Sequence, residues 1–120
     1  MDWQSIYEHL KAAGFDVYAL GQHQGVCAKP YIVLRANGIY QGLGIEQVLY
    51  ELLLYYPADY YYRFEEYISR VKKAMNLIYP QVKLVDPETP HYLDPDVMGF
   101  MTSLTYGIKK ISEINRMRKE

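Results

Sequence analysis

The 120-residue chain predicts an α+β domain. We expect an antiparallel or mixed sheet of about four to five strands, with an N-terminal helix and one long central helix on one face. Three stretches predict it. In residues 60–79, Phe64, Tyr67, Ile68, Val71, Ala74, Met75 and Ile78 recur at helical spacing, which makes one apolar stripe. Tyr31 to Arg35 is a nearly continuous apolar, β-branched run opened by Pro30, as a strand allows. Val97 to Ile108 alternates, with Met98, Phe100, Leu104, Tyr106 and Ile108 against Gly99, Met101, Ser103 and Thr105, which is a long half-buried strand.

In chain order, Trp3, Ile6, Tyr7, Leu10 and Ala13 mark a first helix, with Asp2 as its cap and Gly14 in the left-handed position beyond its end. Phe15 to Ala19 reads as a short strand and Gly21–Lys29 as a polar loop. Asn37-Gly38 carries the signal of a tight hairpin turn, and Ile39 to Gly44 follows as a turn or short extended piece. Ile45, Val48, Leu49, Leu52, Leu53 and Tyr56 fit a helix by spacing, yet the run ends at Pro57 without a cap and suits a buried strand equally. Spacing leaves both open. Asp59 is the expected cap of the central helix, between Pro57 and Pro80, and Glu66 stands four residues before Arg70. Gln81 to Val85 reads as a strand. Asp86–Asp96, with three prolines and four acids, reads as a loop.

Length and a hydrophobic content of 50% fit one domain, 1–120. A net charge of −1 and a pI near 6.3 argue against a general nucleic-acid surface. The exception is 109–120, where Lys109, Lys110, Arg116, Arg118 and Lys119 outnumber Glu113 and Glu120, a basic and flexible tail of about +3. Its Ile111, Ile114 and Met117 give only a weak amphipathic signal. One cysteine, Cys27, allows neither an internal disulfide nor a thiolate zinc cage. No signal peptide or spanning segment is visible, so a soluble, cytosolic product is expected. The outlier is tyrosine, 14 of 120 residues. Such a surplus points to a protein-contacting surface rather than an ordinary core rim, because the side chain joins a large apolar body to a polar tip.

Candidate chemistry is thin. His9, His23 and His91 are scattered, and joining His91 to Asp86, Asp94 or Asp96 matches no zinc or calcium spacing. Cys27 and His23 have the residue types of a nucleophilic pair, without a built-in orientation or a nameable oxyanion hole. No phosphate loop or dinucleotide fingerprint is present. No catalytic residue, cofactor or metal is expected.

The order of pieces resembles a family. A helix leads to Pro30–Leu34 (PYIVL), a strand closes on Tyr56-Pro57, then come FEEYISRVKKAM, VKLV and DVMGFMTSLTY at Asp96–Tyr106, with Met101, Ser103 and Tyr106 in the last strand. Over residues 5–108 this is similar to the tail terminators of tailed bacteriophages and prophages, small proteins that cap a finished tail tube and join it to the head. The resemblance implies that 45–56 is a strand and that the chain forms a homo-hexameric ring. One ring surface would meet the tail tube protein and the other the head completion or connector protein, in the host cytoplasm and then in the virion tail. It implies no membrane contact and at most indirect contact with DNA in the lumen. Candidate contacts lie on loops and strand ends flanking the sheet: His23, Gln24, Tyr40, Gln41, Tyr55, Tyr56, His91, Tyr92 and Asp94, with Lys109, Lys110, Arg116, Arg118 and Lys119 for the basic tail. The alternative from the residues is a non-catalytic α+β binding module that uses a tyrosine-rich surface.

Overall fold

A computed structural model describes residues 1–23, 25–41 and 45–111. In order it contains α1 (Trp3–Ala12), β1 (Val17–Ala19), β2 (Tyr31–Gln41), β3 (Ile45–Pro57), a 3-10 segment (Ala58–Arg63), α2 (Phe64–Asn76), β4 (Lys83–Asp86), β5 (Tyr92–Asp94) and β6 (Gly99–Ile111). The strands form one mixed sheet in the order β1-β2-β3-β6-β4, and β5 also pairs with β6. Among the described strands only β1 runs parallel to its neighbour. The fold is α+β, with six strands among the described residues.

Local chemistry explains the element ends. Asp2 Oδ1 accepts the Ser5 N–H at 2.9 Å, capping α1. At its other end the Gly14 N–H donates to Lys11 and the Phe15 N–H to Leu10 at 3.0 and 3.1 Å, with Gly14 at φ +96°. That double closure needs a left-handed residue, which glycine supplies.

Both helices lie on one face of the sheet. Ile6 and Leu10 of α1 and Phe64, Tyr67, Ile68, Val71, Ala74 and Met75 of α2 share a core with Ile32, Leu34, Leu52, Leu54, Leu104 and Tyr106. Register aligns these strand residues in rows, Leu34 opposite Leu52 opposite Leu104. The opposite face carries a smaller cluster of Cys27, Tyr31, Val33, Leu53 and Met101. There Cys27 packs on the strands, pinned where its N–H donates to the Val97 carbonyl at 2.6 Å.

Several elements depart from expectation. The central helix is shorter at both ends. It starts at Phe64 with Arg63 at its cap position and no side-chain cap, so Asp59 does not cap it, and Tyr60 to Tyr62 lie in the 3-10 segment. Asn37-Gly38 is not a hairpin turn. The β2–β3 register slips between Ala36 and Ile39, and Gly38 takes φ +97°, so the pair forms a bulge within a strand that continues to Gln41. The connection at 42–44 lies outside the described residues. Ile45–Pro57 is a strand, as the resemblance implies and the spacing left open, whereas a short β5 interrupts the expected 86–96 loop. β6 continues to Ile111 and takes Lys109 and Lys110 into the sheet, opposite Gln47 and Glu46.

The β4–β5 connection follows the β6 edge. Thr89 donates its N–H to the Ser103 carbonyl at 3.2 Å, and its hydroxyl oxygen accepts the Ser103 N–H at 2.8 Å. Thr102 Oγ1 donates to the Thr89 carbonyl at 2.6 Å. One threonine thus completes the ladder between two short strands.

Strands β3 and β6, thirteen residues each, span about 43 Å at 3.3 Å per residue. The thirteen residues of α2 cover about 20 Å. No described side chain of β2 beyond Leu34, of β3 before Val48 or of β6 beyond Ile108 belongs to the core shared with the helices, so these paired strand ends extend past it as a three-stranded arm. Ile39, opposite Val48, is 60% exposed at its root.

Candidate functional site

The expected contact residues fall on different surfaces. His23, Tyr55, Tyr92 and Asp94 converge on the helix-free face. His23 stacks on Tyr31 at 3.8 Å between ring centres and 14°, and Tyr31 stacks on Tyr55 at 4.7 Å and 11°. Tyr18 closes the group edge-on, 5.7 Å from Tyr31 and 5.0 Å from His23. The stack forms because β1 sits beside β2 and Tyr31 lies directly across from Tyr55, which puts their side chains on one face. Tyr92 extends the row, across β6 at Met101. Burial raises the Tyr31 and Tyr55 phenols, with Asp94 adding to both, so they stay neutral donors at physiological pH.

Tyr56 and His91 sit on the helix side instead. Tyr56 packs 5.4 Å from the Tyr67 ring and 5.8 Å from Phe64. The His91 side chain is only 12% exposed. Its Nδ1 lies 3.0 Å from the Tyr61 hydroxyl and its Nε2 2.6 Å from Glu88 Oε2. Both ring nitrogens thus have protein partners, and Glu88, rather than Asp86, Asp94 or Asp96, is the acid beside it. Among the described residues no three His, Cys, Asp or Glu side chains gather as metal ligands.

Glu88 also accepts from Lys72 Nζ at 3.0 Å. Burial alone would raise its carboxyl, but the bonds to His91 and Lys72 outweigh it and hold the group below its ordinary 4.5. Because the folded value is depressed, this stabilisation is present above the unfolded value and lost as pH falls through the folded one. Glu88→Gln is expected to cost about 1 kcal/mol near neutral pH. In urea titrations across pH, its difference from wild type should shrink as pH falls below 4.5; a constant difference would contradict the triad.

Burial pushes the Cys27 thiol up to about 11, so near neutral pH it is protonated and a poor nucleophile. His23 is engaged with Tyr31. Lys109 is exposed at the outer arm. For Tyr40, Gln41 and Lys110 the backbone lies in strands, whereas Gln24, Arg116, Arg118 and Lys119 lie outside the described residues.

Two features have no counterpart among the sequence expectations. Tyr60, Tyr61 and Tyr62 are all exposed, Tyr62 by 75%. Three consecutive tyrosines cannot share one helical stripe, which is the available signal. The second is a cleft of about 430 Å³ between the end of α1 and α2, lined by Phe15, Asp16, Lys29, Tyr67, Arg70 and Lys73 among others. The Arg70 guanidinium lies 5.7 Å from the Tyr67 ring centre and 6.0 Å from that of Phe15, rather than in an ion pair with Glu66. No helix among the described residues is long and apolar enough to cross a membrane. Compared with models of known families and with curated proteins, the chain matches none.

Proposed function

We propose that the chain is a structural subunit of a phage or prophage tail, a terminator that caps the tail tube as a hexameric ring and takes part in joining it to the head. Its partners are then further copies of itself, the tube protein beneath and the head completion protein above. No catalytic step or cofactor enters this role. The observation that carries the reading is the three-stranded arm. On the β1 side, β2 is paired only at Ile32–Leu34, so from Arg35 to Gln41 its outer edge has no strand partner among the described residues. An unpaired edge bearing an exposed Ile39 is a template for another chain. A contact between an arm and a different surface of the next copy is head-to-tail, the kind that closes rings. The exposed tyrosines supply further area of interface type.

The test uses tail tubes assembled without a terminator. Added purified chain is expected to sit on one tube end in negative-stain images and to stop further elongation. Bare ends and unchanged tube growth would remove the reading. A second reading, a binding module, rests on the His23–Tyr31–Tyr55 stack, and saturable retention of a ligand by a chain that ignores tubes would favour it.

A further inference from the structure

We infer that Tyr61 is an acyl-acceptor site, a phenol that gives its proton to His91 as its oxygen attacks an uncharged aryl ester. The inference is independent of the tail reading.

The hydrogen bonds around His91 fix their own direction. Glu88 Oε1 accepts from Lys72 Nζ at 3.0 Å, which leaves Oε2 to His91 Nε2 at 2.6 Å. The carboxyl is held below its ordinary 4.5, so near neutral pH it is a carboxylate and can only accept. His91 Nε2 therefore carries a hydrogen. In the neutral ring the other nitrogen, Nδ1, is then an acceptor, and the Tyr61 hydroxyl 3.0 Å away donates to it. Hydroxyl, imidazole and carboxylate follow one another as a nucleophile, its base and the group that orients the base.

Packing holds the three in place. The His91 ring lies 4.8 Å from that of Phe64, and the Tyr61 ring lies 4.4 Å from that of Phe100. The His91 side chain is largely covered, whereas Tyr61 is 45% exposed. A reagent arriving from solvent thus meets the phenol before the imidazole. Among the described residues no other tyrosine hydroxyl is bonded to a histidine. Tyr60 and Tyr62, both exposed, offer aromatic faces beside it for an aryl group. The cation of the cluster, Lys72, is engaged by Glu88, which favours an uncharged acyl donor over a phosphoryl one.

The step balances without a further reactant. The Tyr61 oxygen bonds to the ester carbonyl carbon while its proton moves to His91 Nδ1. Glu88 stabilises the imidazolium that forms. The bond from the carbonyl carbon to the aryl oxygen then breaks, and the proton passes from Nδ1 to the departing aryloxide. The products are an O-acyl tyrosine and a free phenol. Tyr61 and His91 touch the reacting atoms; Glu88 is a positioning residue.

The test treats the full chain with para-nitrophenyl acetate near neutral pH. Nitrophenol release is followed by absorbance, and the acetyl group is located by peptide mass mapping. Tyr61 is expected to be acetylated about a hundredfold faster than the more exposed Tyr62, the lower end of a general-base effect. That comparison uses wild-type protein and needs no variant to fold. Tyr61→Phe should remove the fast phase. His91→Gln should bring Tyr61 down to the rate of Tyr62, and Glu88→Gln should slow Tyr61 partway, both leaving Tyr62 unchanged. Equal rates at Tyr61 and Tyr62 in wild type would overturn the assignment. So would an undiminished Tyr61 rate in His91→Gln, or an acetyl group carried by His91 with continuous turnover.

Discussion

Leu104→Ala is expected to lower the unfolding free energy by about 3–4 kcal/mol, a larger loss than that of Glu88→Gln or Thr89→Val. Leu34, Leu52 and Leu104 stand in one row across three strands, and all three are 0% exposed. They face the layer formed by α1 and α2, within the same core as Leu10, Phe64 and Val71. A strand ladder on both sides holds the β6 backbone, so the site cannot collapse onto the missing methyl groups. The loss is then the transfer term plus most of the cavity term. Urea unfolding followed by Trp3 fluorescence checks this. Trp3 is well placed as a reporter, because its indole N–H donates to the Leu34 carbonyl at 2.8 Å. The midpoint should fall with an unchanged slope. A loss below about 1 kcal/mol would mean the row is not close-packed.

Thr89→Val should cost about 2 kcal/mol for a different reason. Valine keeps the shape and removes the oxygen that accepts the Ser103 N–H and lies 3.1 Å from the Ser103 hydroxyl. Ser103 is 5% exposed and Thr102 fully buried, so water does not replace the lost acceptor. Thr89→Ser retains the oxygen and should recover most of the stability. Hydrogen exchange locates the effect. The Ser103 amide should lose protection in the valine variant and keep it in the serine variant. Equal protection in both would show that the connection between β4 and β5 is not part of the ladder.

The elements with one buried face are legible in the sequence. The stripe on α2 and the alternation in β6 each follow from a single face meeting the core. Ile45–Pro57 is ambiguous because both faces of its centre are covered. Leu52 and Leu54 meet the helices while Leu53 meets the second cluster, which removes the period of two. The resemblance to tail terminators, not the spacing, favours the strand that forms. Asn37-Gly38 misleads because glycine at positive φ serves a bulge as well as a turn, and only the partner strand decides between them. Tyr60 to Tyr62 extend a helical pattern that the backbone abandons at the exposed 3-10 segment.

Of the site, the helix-free tyrosine face is partly anticipated through His23, Tyr55, Tyr92 and Asp94. The cleft is not. Arg70 and Lys73 read as the solvated side of the central helix, and only the packing of 13–16 and 29–30 against them turns that side into a concave, cationic surface. Residues so distant in sequence give no local signal.

Solution mass by light scattering over a concentration series, with negative-stain images of the largest species, tests the central claim most directly. Six copies of a 14.1 kDa chain make a closed ring of about 85 kDa, and that species is the expected result, alone or nucleated by added tail tubes. A mass that stays at 14.1 kDa throughout and in the presence of tubes, or a stable dimer that never closes into rings, would contradict it.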